Sequence, residues 1–157
     1  MKKKNTLSIV MTFAIMIFAI VAVCVLFAPA FTDTVRGTGW HVIFKNNTNN
    51  GDYMIPELIG AFVLSALTFV LGFLLFFVKG KGRTALYIFI AAIGLIAGLL
   101  FCFGKQFFIL HSPSKLYNDF AIGGAFITAA IFDFLTAIVA SIGVYLIHKN
   151  TTVDDED

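Results

Sequence analysis

The fold class predicted by this sequence is an all-α membrane protein, a bundle of four transmembrane helices. Three observations predict it. The chain of 157 residues is 59% hydrophobic and only 13% charged. Its charges are separated by long runs that contain none, and its positive charges gather at one side of those runs. A soluble domain of this size could not cover so much apolar surface with polar groups, and a span needs about 20 residues to cross the hydrocarbon. Lys4 to Asp33 encloses 28 uncharged residues, and Glu57 to Lys79 and Arg83 to Lys105 enclose 21 each. The fourth run, Phe120 to Ile147, holds one charged residue, Asp133, at its middle.

The first span is expected over about 7–28. Lys2 to Lys4, the apolar run and Ala28-Pro29-Ala30 also mimic a secretory signal with a small-residue cleavage site. The run exceeds the usual length of a signal core, so a retained first helix is the favoured reading. An outer loop over 31–53 follows. Within it, Val35 to Phe44 places β-branched and aromatic residues around Gly37-Thr38-Gly39, leaving room for a short extracellular β-hairpin. Asn46-Asn47-Thr48 matches a glycosylation sequon, which matters only in a eukaryotic secretory route.

Pro56 and Glu57 open the second span, about 56–78. Proline suits the first helical turn and the carboxylate suits the positive end of the helix dipole. Lys79-Gly-Lys-Gly-Arg83 is a tight basic inner loop over 79–83. The third span covers about 84–104, with Phe107 to Leu110 able to extend it to 110. A second outer loop, 111–119, leads to the fourth span over about 120–147 and an inner tail, 148–157. The whole forms a single membrane domain.

Lys2, Lys3, Lys4, Lys79, Lys81, Arg83 and Lys149 fall on one side of this plan, and Arg36, Lys45, Lys105 and Lys115 on the other. Positive charge in short segments marks the cytoplasmic face. Both termini are therefore expected in the cytoplasm, with the protein in the plasma membrane. Tyr53 and Tyr117 are expected at the outer boundary, Tyr87 and Tyr145 at the inner one. The sequence pI of about 8.6 is accounted for by this topology and gives no nucleic-acid signal.

Spans in lipid associate through small residues and close backbone approach. Ala61, Ser65, Thr68 and Gly72 form one seam at steps of four, three and four. The third span offers Gly94 and Gly98 at four-residue spacing. The fourth offers Ala130, Asp133, Ala137 and Ala140, which turns Asp133 into the bundle. Phe126, Ile127, Phe134, Leu135, Ile138 and Ile142 are left to fill the rest of that helix.

Asp133 is the residue that most needs explaining. A carboxylate at mid-span opposes insertion by about 2.5–3.5 kcal/mol, which the apolar residues of the same run offset. No Lys, Arg or His lies at its depth. As a neutral acid it could donate to Ser65 or Thr68, which fall at matching depth, or to Thr136. Two roles stay open: a polar contact within the bundle or across an oligomer, and a proton or cation site. His41, His111, Glu57 and Asp119 fall near the outer face without a recognised metal-ligand spacing. Cys24 and Cys102 are expected as buried thiols, although a disulfide between them is conceivable. Trp40 is expected as an interfacial anchor. No phosphate-binding loop, nucleophile–base pair or zinc spacing is visible, so the expectation is a protein that is not an enzyme and needs no cofactor.

Phe27-Ala-Pro-Ala-Phe31 and Gly37-Thr-Gly-Trp-His-Val-Ile-Phe44, followed by three further spans, resemble a group of small four-span bacterial membrane proteins with no assigned function. That resemblance implies a membrane role and transfers no site residues. In topology alone the plan also resembles the claudin-like tetraspans, but the first loop is short and lacks their cysteine pair. The leading expectation is an interaction, accessory or structural subunit, whose partners are the lipid bilayer and a second copy or another membrane protein. The alternative is a small transporter or channel subunit with Asp133 as its proton or cation site.

Overall fold

The structure, a computed structural model, describes residues 2–30, 38–44, 46–48, 51–111 and 123–153. Helix α1 (Lys2–Cys24) ends in one 3-10 turn, Val25–Phe27. Then come a short helix α2 (Gly39–Phe44), two three-residue strands β1 (Asn46–Thr48) and β2 (Gly51–Tyr53), and α3 (Pro56–Leu74). Helices α4 (Lys81–Cys102), α5 (Gly104–His111) and α6 (Gly124–Val153) complete the fold. Four segments are long and apolar enough to cross a membrane: Thr6–Phe27, Pro56–Leu74, Lys81–Cys102 and Gly124–His148. Only about a third of each is buried within the protein, so the remaining apolar surface faces outward, as lipid requires. The inner tail 154–157, the acidic side chain of Asp119, and the positions of Arg36, Lys45, Lys115 and Tyr117 lie outside the described residues.

The four spans form a ring in chain order. α1 packs on α3 and α6, and α4 packs on α3 and α6, with α4 and α6 in the most extensive contact. α3 and α6 thus face each other across the diagonal. Successive spans alternate in direction, which gives the bundle two distinct ends. The terminal end holds the start of α1, the close of α3, the start of α4 and the close of α6. The loop end carries α2 and α5. At the turn into α4, Gly80 takes a positive φ of 62°, a conformation that favours glycine.

The second strand of the hairpin expected around Gly37-Thr38-Gly39 does not form, since Gly39–Phe44 is helical; the first half, 35–37, lies outside the described residues. Thr38 is the reason. Its Oγ1 accepts the N–H of His41 at 3.3 Å and its carbonyl accepts the N–H of Val42 at 3.1 Å, which is N-capping geometry. The helix then turns Val42 and Ile43 into the core. Gly39 serves close approach rather than a turn, since a Cβ there would lie 2.9 Å from the Leu26 carbonyl oxygen. The strands lie further on and pair antiparallel, Asn46 opposite Tyr53 and Thr48 opposite Gly51.

The Ala28-Pro29-Ala30 segment ties the loop end together. The Ala28 carbonyl accepts the Gly39 N–H at 3.0 Å, that of Pro29 accepts from Ala125 at 3.3 Å, and that of Ala30 accepts from Gly123 at 2.6 Å. The amide of Ala125, one of the first-turn N–H groups of α6 without a partner in its own helix, is thereby satisfied. α4 and α5 are separated by the single residue Phe103, after which Gly104 lets the Phe126 ring approach within 3.2 Å of where its Cβ would be.

Candidate intramembrane acid site

Asp133 is fully buried at the middle of the bundle. The Ser65 hydroxyl donates to its Oδ2 at 2.8 Å, a bond that joins α6 to α3 across the diagonal. Periodicity on both helices produces this meeting. Ala61, Ser65, Thr68 and Gly72 are all buried on α3, and Ala130, Asp133, Ala137 and Ala140 are all buried on α6. The third helix contributes backbone proximity. A Cβ on Gly94 would lie 3.0 Å from the Asp133 carbonyl oxygen and 3.4 Å from the Ala137 nitrogen. At Gly98 it would lie 2.7 Å from the Phe134 ring. Gly94 therefore admits the α6 backbone, and Gly98 an aromatic side chain.

The hydroxyls sort into two kinds. Thr68 donates to the Leu64 carbonyl at 2.9 Å and Thr136 to that of Phe132 at 2.9 Å, so each serves its own helix. Ser65 has two acceptors in reach, Asp133 Oδ2 and the Ala61 carbonyl at 3.0 Å. A hydroxyl has one proton. With an ionised Asp133, that proton serves Oδ2. With a neutral Asp133, the acid donates from Oδ2 to Ser65, and Ser65 donates to Ala61. The same three groups thus suit both charge states by reversing a short chain of bonds. Oδ1 has no hydrogen-bond partner.

Other candidates are placed differently from their expectations. Cys24 and Cys102 are free and exposed, not buried. At Cys102 the neighbouring Phe101 takes the inward position, leaving the thiol on the lipid-facing arc. Tyr87, in the second turn of α4 near the terminal end, is buried, its ring lying 2.7 Å from where a Cβ on Gly143 would sit. Gly143 was not singled out by the sequence, because no second glycine lies at helical spacing from it. Of the bulky α6 residues, Ile127, Leu135, Ile138 and Ile142 are exposed, whereas Phe126 is fully buried.

Near the loop end, His111 Nε2 lies 2.9 Å from Glu57 Oε2, linking the close of α5 to the start of α3. His41 pairs with Thr38 through Nδ1 at 3.0 Å. Among the described residues no group of three or more His, Cys, Asp or Glu could hold a metal. Trp40 stacks on Phe27 with centroids 5.5 Å apart and also meets Phe44 and Phe62.

No protein-family model matches this chain, and no curated protein or solved structure matches it either. The functional reading therefore rests on the residues themselves.

Proposed function

We propose that this chain is a structural or accessory subunit of a bacterial plasma membrane, with both termini cytoplasmic, that associates with a second copy or another membrane protein and catalyses no reaction. The observation that carries this reading is the Ser65–Asp133 bond across the bundle diagonal. It joins α3 and α6 at mid-span, and so supports a structural role for the one charged group there. Outside that pair the spans present apolar side chains such as Ile88, Phe89, Ile131 and Ile138 to their surroundings. The bias of Lys and Arg toward the terminal end supports the orientation.

Photo-crosslinking from Ile88 and Ile138 in native membranes tests it. A captured neighbour of defined mass is the expected result. Monomer alone at every lipid-facing position would remove the proposal.

The unpartnered Oδ1 favours a second reading, in which Asp133 binds a proton or cation within a small transporter or channel subunit. Ion or proton flux in liposomes that Asp133→Asn removes is its expected signature, and equal flux in both proteins would end it.

A further inference from the structure

The buried polar groups of the bundle are distributed unevenly about Asp133. Among the described residues the buried polar or charged side chains are Thr12, Ser65, Thr68, Asp133 and Thr136. Ser65 is level with Asp133. Thr68 and Thr136 each lie three residues further toward the terminal end, about 4.5 Å at 1.5 Å per residue. Thr12 lies further still, because Gly72 packs against Ile15 and Met16 and Thr12 is about one turn beyond them. Toward the loop end every buried side chain among the described residues is apolar, whereas toward the terminal end Ile15, Leu75, Tyr87 and Ile90 are buried alongside the hydroxyls. Leu58, Phe101, Phe108 and Phe126 close the loop-end half, with Phe101 and Phe126 stacked at 6.2 Å.

A second observation has the same direction. Among the described residues three buried side-chain polar atoms have no hydrogen-bond partner: Asp133 Oδ1, Tyr87 Oη and Arg83 Nε. Tyr87 packs against Gly143, ten residues beyond Asp133 and so about 15 Å toward the terminal end. Arg83 lies one turn further, its guanidinium 6.0 Å from the Tyr87 ring centroid. A buried polar atom that lacks a protein partner is a group that an ordered water can satisfy.

Resting on the second reading above, we propose that the ion Asp133 takes is a proton, and that it exchanges with water from the terminal end of the bundle only. Protonation of Asp133 places the new hydrogen on Oδ2, which donates to Ser65 Oγ while the Ser65 proton turns to the Ala61 carbonyl. Hydronium supplies the proton and is left as water, and release reverses each step. A bare cation would need a shell of oxygens. The protons of Thr68 and Thr136 are turned to their own helices, so each hydroxyl keeps lone pairs to accept from a passing water. From α1 and α3 no charged or titratable side chain faces Asp133. On α4 the nearest are Tyr87 and Arg83, and along α6 they are Tyr145 and His148, all toward the terminal end. Cys24 and Cys102 lie on the outer surface.

The test is infrared spectroscopy of the protein in phosphatidylcholine–phosphatidylglycerol liposomes of one orientation, established by trypsin cleavage in the Lys79–Arg83 loop. The carboxylic C=O band removed by Asp133→Asn is followed after a change of pH or of D2O content on one side. The expected result is a response to the terminal side alone, slowed several-fold in the Thr68→Val/Thr136→Val double variant. Phe126→Ala, which opens the aromatic seal, is expected to add a response from the loop side. A band that follows the loop side in the unmodified protein overturns the one-sided path while leaving proton binding intact. So does equal exchange in the double variant with its fold retained. A band that follows neither side at any pH removes both the path and proton binding. Flux of Na+ or K+ that depends on Asp133 without that band replaces the proton by a cation and overturns the proposal.

Discussion

The loop-end and terminal-end halves of this bundle use the same four helices and solve the packing problem differently. At the loop end, Phe101, Phe108 and Phe126 fill the space, α2 closes over it, and Ala28-Pro29-Ala30 fastens α1 to α2 and α6 by backbone bonds. Toward the terminal end, Gly72 makes room for the side chains of Ile15 and Met16 and Gly143 for the Tyr87 ring, and the buried hydroxyls are satisfied within their own helices. Helices in lipid associate mainly through van der Waals contact. Three buried phenylalanines make the loop end the half whose cohesion depends more on aromatic volume, while close approach at glycine serves both halves, through Gly39 and Gly104 at the loop end and Gly72 and Gly143 at the terminal end. Hydroxyls bonded to their own helix add little hold between helices. Their presence in one half only is the contrast on which the proposed one-sided proton path rests.

Substitutions can break this contrast in graded steps. The largest effect is expected from Phe126→Ala, which removes a fully buried ring and leaves a cavity, lowering stability in nanodiscs by about 3 kcal/mol. Denaturant titration in the same lipid measures it, and a loss no greater than that of Thr68→Val would dissolve the distinction between the halves. Gly94→Val comes next, at about 2 kcal/mol, because its side chain meets the backbone of α6 rather than a movable side chain. Far-UV circular dichroism should retain its helical signal while the melting temperature falls.

Asp133→Leu should destabilise by about 1 kcal/mol and Asp133→Asn by less, as expected of an interhelical polar contact. A Leu variant as stable as the unmodified protein, or more so, would show that the acid is kept at the expense of the fold. Thr68→Val should stay within about 0.5 kcal/mol, since the lost hydroxyl served only its own helix. At the rim, Glu57→Gln breaks the pair with His111, in which both side chains are 31% exposed. Discounted for solvent screening, it should lower stability by less than about 1 kcal/mol.

Much of the inner geometry is legible in the sequence because helical periodicity is strict. Steps of three and four placed Ala61, Ser65, Thr68 and Gly72 on one line, and Ala130, Asp133 and Ala137 on another. With hydroxyls so few at mid-depth, a short set of partners for Asp133 followed. The choice of Ser65 over Thr68 was not legible, since it depends on a rise of one turn between facing helices. Nor was α2. Two glycines flanking a threonine suggest a turn, whereas Thr38 is a cap and Gly39 a contact. Thr38 followed by a run with Val42 and Ile43 on one side was the available signal. The inward path of Tyr87 depends on Gly143 of another helix, which no local pattern of α4 reveals. The two thiols were misplaced because cysteine, small and apolar, is equally at home on either arc of a span.

Trp40 is the single tryptophan of the chain. Its ring lies nearly parallel to Phe27 and is bracketed by Phe44 and Phe62. Indole emission from this protein is therefore a native optical probe of one place, the seat of α2 on the ends of α1 and α3. Followed beside the amide circular dichroism signal during denaturation, it separates release of that cover from parting of the spans. Coincident transitions would make the cover part of the cooperative unit. An earlier shift in emission would make it a hinged piece that lifts while the spans remain assembled.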